Sequence, residues 1–467
     1  MRIVVLGGGP GGYAAAFEAA RLGADVTLVE RARLGGTCLH RGCIPTKAMM
    51  RSARLAAEIC RAGEYGIGVS EAIVEARVDP VRLRVRAAGV IDELTAQLEA
   101  SARRLRVRTV RGEGRLVSPL TVEVASAEGD AERLEGDAVI LATGSLPVLL
   151  PGIDHGLSRV WTSDEALALS EIPREAVIVG AGVIGLEFAC AYAAFGGAVT
   201  VVELTSQVLP GNDRRLVRAA QAALEARGVR FVLGDAVASV EQRGERVRAG
   251  LRSGASLEAD VLLSAPGRLP ASGGLGLEEA GVATNRAAVV VDEYFRASVP
   301  GVYAVGDVIG GMMLAHVAEE EGVVAARNAV AEFATVRAAP RLETVRYDCM
   351  PACVYTFPEI AVVGMTRDAV TAAGGEAVQA VAKFTANGKA LGEGEAEGFV
   401  QLVAEKSTGA ILGCQIIGPH AVEIVHEVAV SMRHGIGVRG LAETVHAHPT
   451  VSEVVRAAAL DAAAKCR

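Results

Sequence analysis

The chain has 467 residues, is 51% hydrophobic and carries a formal net charge of −8. That length exceeds a single hydrophobic core and calls for about three or four domains. No run of about eighteen apolar residues is free of charge, which argues against a membrane-spanning helix, and no basic cluster is dense enough to follow a phosphate backbone, which argues against nucleic acid.

From the N-terminus, Ile3 to Leu6 reads as a strand, Gly7-Gly8-Gly9-Pro10-Gly11-Gly12 as a tight turn, the residues through Leu22 as a helix, and Asp25 to Val29 as a second strand ending in Glu30. A G-x-G-x-x-G in that context lets the backbone approach a pyrophosphate at a helix N-terminus and sets an acid against the ribose hydroxyls. Gly7, Gly9, Gly12 and Glu30 are therefore candidate dinucleotide contacts. The sequence enters this strand at once, with no basic leader ahead of an apolar stretch, so no signal peptide is expected and the cytoplasm is the expected compartment.

Next comes Cys38-Leu39-His40-Arg41-Gly42-Cys43-Ile44-Pro45-Thr46-Lys47, led in by Gly35-Gly36-Thr37. Cysteines five positions apart on a regular helix have Cα atoms roughly 8 to 9 Å apart, whereas a disulfide spans at most about 7 Å. Pairing therefore requires the backbone to leave a regular helix. Gly42 permits that, and Pro45 suits only the first turn of a new helix. Two unpaired cysteines in a buried helix are the alternative; a zinc site lacks a second pair of ligands at the right spacing. The other six cysteines, Cys60, Cys190, Cys349, Cys353, Cys414 and Cys466, are scattered among apolar residues and read as small buried hydrophobes.

Arg51 to Ala62 and Val85 to Leu105 carry helical patterns, Thr109 to Val124 alternates like short strands, and Ala138 to Gly144 reads as a buried strand. The opening pattern then recurs. Val177-Ile178-Val179 leads into Gly180-Ala181-Gly182-Val183-Ile184-Gly185, a helix through Phe195, and a strand Val199 to Val202 ending in Glu203; each acid stands 23 positions after the first glycine of its turn. Gly180, Gly182, Gly185 and Glu203 thus form a second dinucleotide site, and two such sites in one chain suggest electron passage between a flavin and a nicotinamide. Glu203 is followed by Leu204-Thr205-Ser206-Gln207 without a cation, which favours NAD over NADP.

A strand Ala259 to Ser264 precedes Pro266-Gly267-Arg268, and Val302 to Asp307 reads as a strand ending in Gly-Asp. From Arg341 the runs Val354-Tyr355, Ile360 to Val363, Phe399 to Val403 and Ile411 to Ile417 are strand-like, and His420 to His434 is helical. In His446-Ala447-His448-Pro449-Thr450-Val451-Ser452-Glu453, His448 and Glu453 make a plausible imidazole–carboxylate pair for general acid–base work, with His446 competing as the base.

Gly-Gly-Thr-Cys, five residues, then Ile-Pro-Thr-Lys resembles the redox-active disulfide signature of the pyridine nucleotide-disulfide oxidoreductases, and the likeness extends over essentially the whole chain. The resemblance implies an α/β fold of two Rossmann-like dinucleotide-binding domains and a C-terminal α+β dimerisation domain. It divides the chain into an FAD-binding domain at 1–147, an NAD-binding domain at 148–267, a central domain at 268–340 that completes the FAD site, and an interface domain at 341–467. It pairs Cys38 with Cys43 as a labile disulfide, with Cys43 nearer the flavin. It places Thr37, Lys47, Thr143, Gly144, Gly267, Gly306, Asp307 and Ala315 at the cofactors, with Asp307 on the ribityl chain and the helix from Leu314-Ala315-His316 aiming its N-terminus at the flavin ring. Lys47 and Glu187 are implied beside the flavin, His448 as the base and Glu453 as the group that orients it. No metal is implied. The implied assembly is a homodimer in which His448 of one subunit faces Cys38 of the other.

Within the family, the sequence ends Ala464-Lys465-Cys466-Arg467 without the C-terminal cysteine pair of mercuric and large thioredoxin reductases, and it lacks the arginines that glutathione reductases carry after the second nucleotide strand. Met313-Leu314-Ala315-His316, Glu319-Glu320-Glu321-Gly322 and His446 to Glu453 resemble the branch that oxidises dihydrolipoamide. That implies FAD-dependent transfer of electrons to NAD from the lipoyl group of a carrier protein, in a 2-oxoacid dehydrogenase complex or the glycine cleavage system. A diaphorase or quinone reductase with the disulfide as a bystander, or a mercuric or glutathione reductase-like enzyme, is the alternative. His40-Arg41 stands where Asn-Val is commoner, Pro266 where a small aliphatic is usual, and Leu146 in place of a frequent arginine.

Overall fold

The computed structural model describes residues 1–68, 78–125, 131–168, 170–333 and 341–466; the expected boundary at residue 340 lies outside them. The chain forms two compact units, each discontinuous in sequence: Met1–Ala48, Arg84–Val148 and Gly267–Val345 make one, and Met49–Leu83, Leu149–Pro266 and Arg346–Arg467 the other.

In the first unit, five parallel strands lie in the order Val302–Ala304, Ala138–Leu141, Arg2–Leu6, Asp25–Glu30 and Arg108–Arg111. Successive side chains of a strand point to opposite faces, and this sheet buries both. Ile3 and Val5 pack among Ala15, Ala16, Ala19 and Ala325 of the covering helices, while Val4 and Leu6 pack against Leu116, Val122 and Leu134 of a three-stranded antiparallel sheet. Burial on both sides is why Ile3 to Leu6 reads as continuously apolar. The helices Pro10–Arg21 and Ala315–Phe333 meet backbone to backbone, since a Cβ on Gly322 would fall 2.2 Å from the Gly11 carbonyl oxygen. The strand expected over Val302 to Asp307 stops at Ala304; Gly306, at φ +71°, turns the chain into a short 3₁₀ helix, Gly306–Ile309.

The second unit contains a parallel sheet ordered Val229–Leu233, Ala198–Glu203, Glu175–Val179, Val261–Ser264 and Val160–Trp161, and a five-stranded antiparallel sheet ordered Ala352–Val354, Glu359–Gly364, Ile411–Gly418, Phe399–Glu405 and Ala377–Lys383. The helix Val183–Ala194 buries residues all round, as its near-uniform apolarity requires. The helices Ala421–Arg433 and Glu453–Lys465 share a core with the antiparallel sheet through Val425, Val428, Val455 and Ala458. Of the six isolated cysteines expected to be buried, Cys190, Cys349 and Cys414 are, Cys353 and Cys466 are half-buried, and Cys60, at the end of the helix Cys43–Cys60, is exposed. Among the described residues no helix is long and apolar enough to cross a membrane.

Candidate functional site

The two glycine turns are near copies. Gly9 caps the first helix at φ −75°, ψ −173° and Gly182 caps its counterpart at φ −77°, ψ −172°. Gly7 and Gly180 take φ +108° and +103°, and a Cβ on Gly12 or Gly185 would lie within 1.8 Å or 1.9 Å of the carbonyl oxygen of Gly7 or Gly180. By contrast, a Cβ on Gly182 would meet nothing within 4 Å, and one on Gly9 only the Cα of Gly36 at 3.8 Å. The first and third glycines are thus required by the turn itself, while the middle one leaves backbone open for a pyrophosphate at a helix N-terminus. In that respect the residues present fit two dinucleotides.

Each strand-end acid braces its own turn. Glu30 accepts from the Gly8 N–H at 2.7 Å and the Ala32 N–H at 2.8 Å; Glu203 accepts from the Ala181 N–H at 2.7 Å and the Thr205 N–H at 2.8 Å. The sequence pattern pointed to ribose contact alone. Glu203 is also buried, so the two N–H groups it accepts from fix its position at the strand end.

The cysteine segment departs from a regular helix as its spacing requires. A short helix, Gly36–Arg41, ends at Gly42 (φ −145°, ψ −113°), and the long helix starts at Cys43 with Pro45 in its first turn. The amide and the hydroxyl of Thr46 both donate to the Gly42 carbonyl, at 3.1 Å and 2.6 Å, which holds the break. The segment is seated on the first nucleotide turn: the Gly35 N–H donates to the Gly8 carbonyl at 2.8 Å, and a Cβ on Gly36 would lie 2.6 Å from the Gly9 Cα. His40, one of the departures noted above, contacts the Leu34 carbonyl through Nε2 at 2.8 Å. A hydrogen bond between Cys38 and Cys43, then burial, pushes the Cys38 thiol well above its ordinary range; Lys47, on the same helix as Cys43, pulls the other way.

Sequence reasoning missed the groups beside this pair. Tyr13, one turn into the first helix, donates its hydroxyl to Glu319, and burial, then that bond, pushes the hydroxyl well above its ordinary range. It also missed Ser145 and Arg268. Arg268 donates from Nε to the Ser145 hydroxyl at 2.7 Å and from Nη2 to the Ser145 carbonyl at 2.8 Å, and that hydroxyl donates to Asp307 at 2.5 Å. These contacts cross a two-stranded antiparallel ribbon, Ser145–Pro147 with Arg268–Pro270. Gly144 (φ +76°), Gly267 (φ +142°), Gly306 (φ +71°) and Thr143, whose hydroxyl donates to the Ala271 carbonyl at 2.9 Å, are brought to its ends. The buried Glu321 accepts from the Gly306 N–H at 2.7 Å, and Ala315 opens the helix Ala315–Phe333. The glycine just before each of Ser145 and Arg268, Gly144 and Gly267, was the available signal. Thr37 lies in the short cysteine helix.

In the second unit, Glu187 is buried and accepts from the Tyr355 N–H at 3.0 Å. His448 is exposed and its Nδ1 lies 3.0 Å from Glu453 Oε1; the other carboxylate oxygen accepts from the Thr450 N–H at 2.9 Å. That N–H, followed by His448, holds the Glu453 carboxyl below its usual range. His446, the competing base, is buried with both ring nitrogens engaged. Among the described residues no group of three potential ligands is placed to hold a metal ion.

Residues 1–322 match the model of the pyridine nucleotide-disulphide oxidoreductase family, and residues 350–459 match the dimerisation domain of the same family. The chain is 40% identical to a leghemoglobin reductase of Vigna unguiculata, over 98% of this chain and 87% of that protein. It is 39% identical to a mitochondrial dihydrolipoyl dehydrogenase of Pisum sativum, over 98% of this chain and 90% of that protein. Among solved structures, LpdA from Mycobacterium tuberculosis superposes with a TM-score of 0.90 at 29% identity, over 98% of this chain and 99% of that one.

Proposed function

The chain belongs to the pyridine nucleotide-disulphide oxidoreductase family, and from that premise we propose that it is an FAD- and NAD-dependent dihydrolipoamide dehydrogenase acting as a homodimer on a lipoylated carrier protein. The observation that carries the reading is the pair of hydrogen-bonded thiols at the Gly42 break, seated on the first of two matched nucleotide turns. Residues 1–147 and 268–340 hold FAD, 148–267 hold NAD, and 341–467 join the subunits. We place the reaction in the cytoplasm, where isolated thiols such as Cys190 and Cys414 stay reduced.

The thiol half-reaction is disulfide exchange. With Cys38 and Cys43 paired, a substrate thiolate, its proton removed by His448, attacks Cys38; the Cys38–Cys43 bond breaks and Cys43 leaves as a thiolate. The second substrate thiol then attacks the substrate sulfur of the mixed disulfide, closing the cyclic lipoyl disulfide and releasing Cys38. Two electrons and two protons leave the substrate. FAD and NAD supply the path that takes the electrons on to NADH, with one proton released. Glu453 keeps the Nδ1 side of His448 occupied, leaving Nε2 to take the proton. Lys47 and Glu187 take the flavin-side roles that the resemblance implies, and the Ser145–Asp307–Arg268 contacts hold Asp307 in place for the ribityl chain.

Two measurements test this. The purified holoenzyme should reduce NAD with dihydrolipoamide, and anaerobic titration should take up about four electrons per flavin rather than about two, because the thiol couple adds its own pair. Uptake of only two, with no dihydrolipoamide turnover, would leave a simple flavin diaphorase. NAD should also be preferred to NADP by at least about tenfold in kcat/KM, roughly 1.4 kcal/mol, because the anchored Glu203 carboxylate repels a 2′-phosphate. Equal kcat/KM values for the two cofactors would show that Glu203 does not face the ribose.

A further inference from the structure

Two histidines share the turn between the helices Val438–Glu443 and Glu453–Lys465, and their surroundings differ sharply. The His446 side chain is 6% exposed and that of His448 79%. His446 Nε2 lies 2.6 Å from Glu427 Oε1, and its Nδ1 lies 3.0 Å from the Thr444 carbonyl oxygen. Both neighbours are oxygens. A neutral imidazole has one N–H and one lone pair, so beside an ionised carboxylate one ring nitrogen would turn its lone pair on an oxygen at contact distance. Both contacts are hydrogen bonds only when the pair holds an extra proton, either as imidazolium with carboxylate or as a neutral ring receiving from the carboxyl. In either form the pair is neutral overall, which suits the enclosed His446 ring and the half-buried Glu427 carboxyl. Burial also holds the Glu427 carboxyl above its usual range, with His446 pulling it down.

The rest of the turn is tied at its ends. The Thr444 hydroxyl donates to the Gly440 carbonyl at 2.9 Å and Arg456 Nε to the Ala442 carbonyl at 3.0 Å; beyond His448, the Thr450 hydroxyl donates to the Ala447 carbonyl at 2.8 Å and Asn387 Nδ2 to the Thr450 carbonyl at 2.9 Å. Between these ties Val445 is fully out in solvent, and the His446 ring is what reaches back to the helix Ala421–Arg433 through Glu427.

We propose that His446 and Glu427 are positioning residues: a half-buried pair sharing one proton that pins the turn carrying His448 onto the helix Ala421–Arg433 and so fixes where the base is presented. This rests on the reaction proposed above. The charged and titratable groups facing the pair are Glu453 and His448 across the turn and the Cys414 thiol from the strand Ile411–Gly418. The Thr450 N–H and His448 hold the Glu453 carboxyl below its usual range, and His446 adds in the same direction, so displacing the His446 ring lets Glu453 protonate at a higher pH.

The test compares three variants of the FAD-loaded dimer. Glu427→Leu removes both acceptor and proton, and His446→Asn keeps a donor for Thr444 but no longer reaches Glu427. Each should lower kcat with dihydrolipoamide by about ten- to a hundredfold through misplacement of the base, and should move the acid limb of kcat/KM to higher pH. KM for NAD and the NADH–ferricyanide rate should stay within about twofold of wild type, since neither uses the base. Glu427→Gln is the rescue: its amide N–H donates to Nε2 while Nδ1–H donates to Thr444, so it should stay within about threefold of wild-type turnover. Turnover of Glu427→Leu and His446→Asn within about twofold of wild type, or a Gln variant as slow as the Leu variant, would overturn the proposal. Absence of dihydrolipoamide turnover in the wild type would instead remove the reaction itself.

Discussion

Cys38→Ser and Cys43→Ser should each lower NAD reduction by dihydrolipoamide on the order of a thousandfold or more, while flavin stays bound and NADH-dependent reduction of ferricyanide continues in part. A serine oxygen can neither enter nor leave a disulfide, so exchange at the Gly42 break stops; transfer between nicotinamide, flavin and an outer-sphere acceptor needs no thiol. Retention of near wild-type dihydrolipoamide turnover in either variant would remove the cysteine pair from the reaction. Loss of flavin from both would point to a structural role, which the position of the segment against Gly8 and Gly9 makes worth excluding by measuring flavin content first.

The second large effect concerns the base. A homodimer of His448→Gln should keep its flavin and lose thiol–disulfide turnover by about 10² to 10⁴, the usual cost of removing a general base. Heterodimers of a His448→Gln chain with a Cys38→Ser chain decide which subunit supplies it. If each site combines Cys38 of one chain with His448 of the other, one site of the heterodimer is intact and the other carries both defects, and about half the wild-type activity returns. If each chain supplies its own base, every heterodimer is as inactive as its parents. The geometry within one chain already favours His448 over His446 for this task, because His448 is exposed with one nitrogen held by Glu453 and His446 is enclosed.

Much of this was legible in the residues. The glycine turns were readable because Gly7, Gly12, Gly180 and Gly185 occupy places where a Cβ meets backbone or a positive φ is needed, so no other residue type suits them. The break between Cys38 and Cys43 was readable from Gly42 and Pro45. The strand Ala377–Lys383 and the helix Glu453–Lys465 were harder: the strand is half-buried along most of its length at a sheet edge, and the helix is nearly half alanine, so neither carries a strong period.

By itself the amino-acid sequence determined the two nucleotide turns, the cysteine segment and the histidine–glutamate spacing of the last turn, because each is a local pattern in which backbone sterics or short-range hydrogen bonding admits few residue types. Only the tertiary structure decided the partners. It braced Glu30 and Glu203 on their own glycine turns, joined Ser145 and Arg268 to Asp307, set Tyr13 on Glu319, and enclosed His446 against Glu427 while leaving His448 in solvent. Most of those contacts link residues far apart in the chain, between polar side chains whose types are common and whose spacing follows no repeat. Which of two histidines is buried depends on the helix that packs beneath the turn, and that packing is a property of the folded unit rather than of any stretch of sequence.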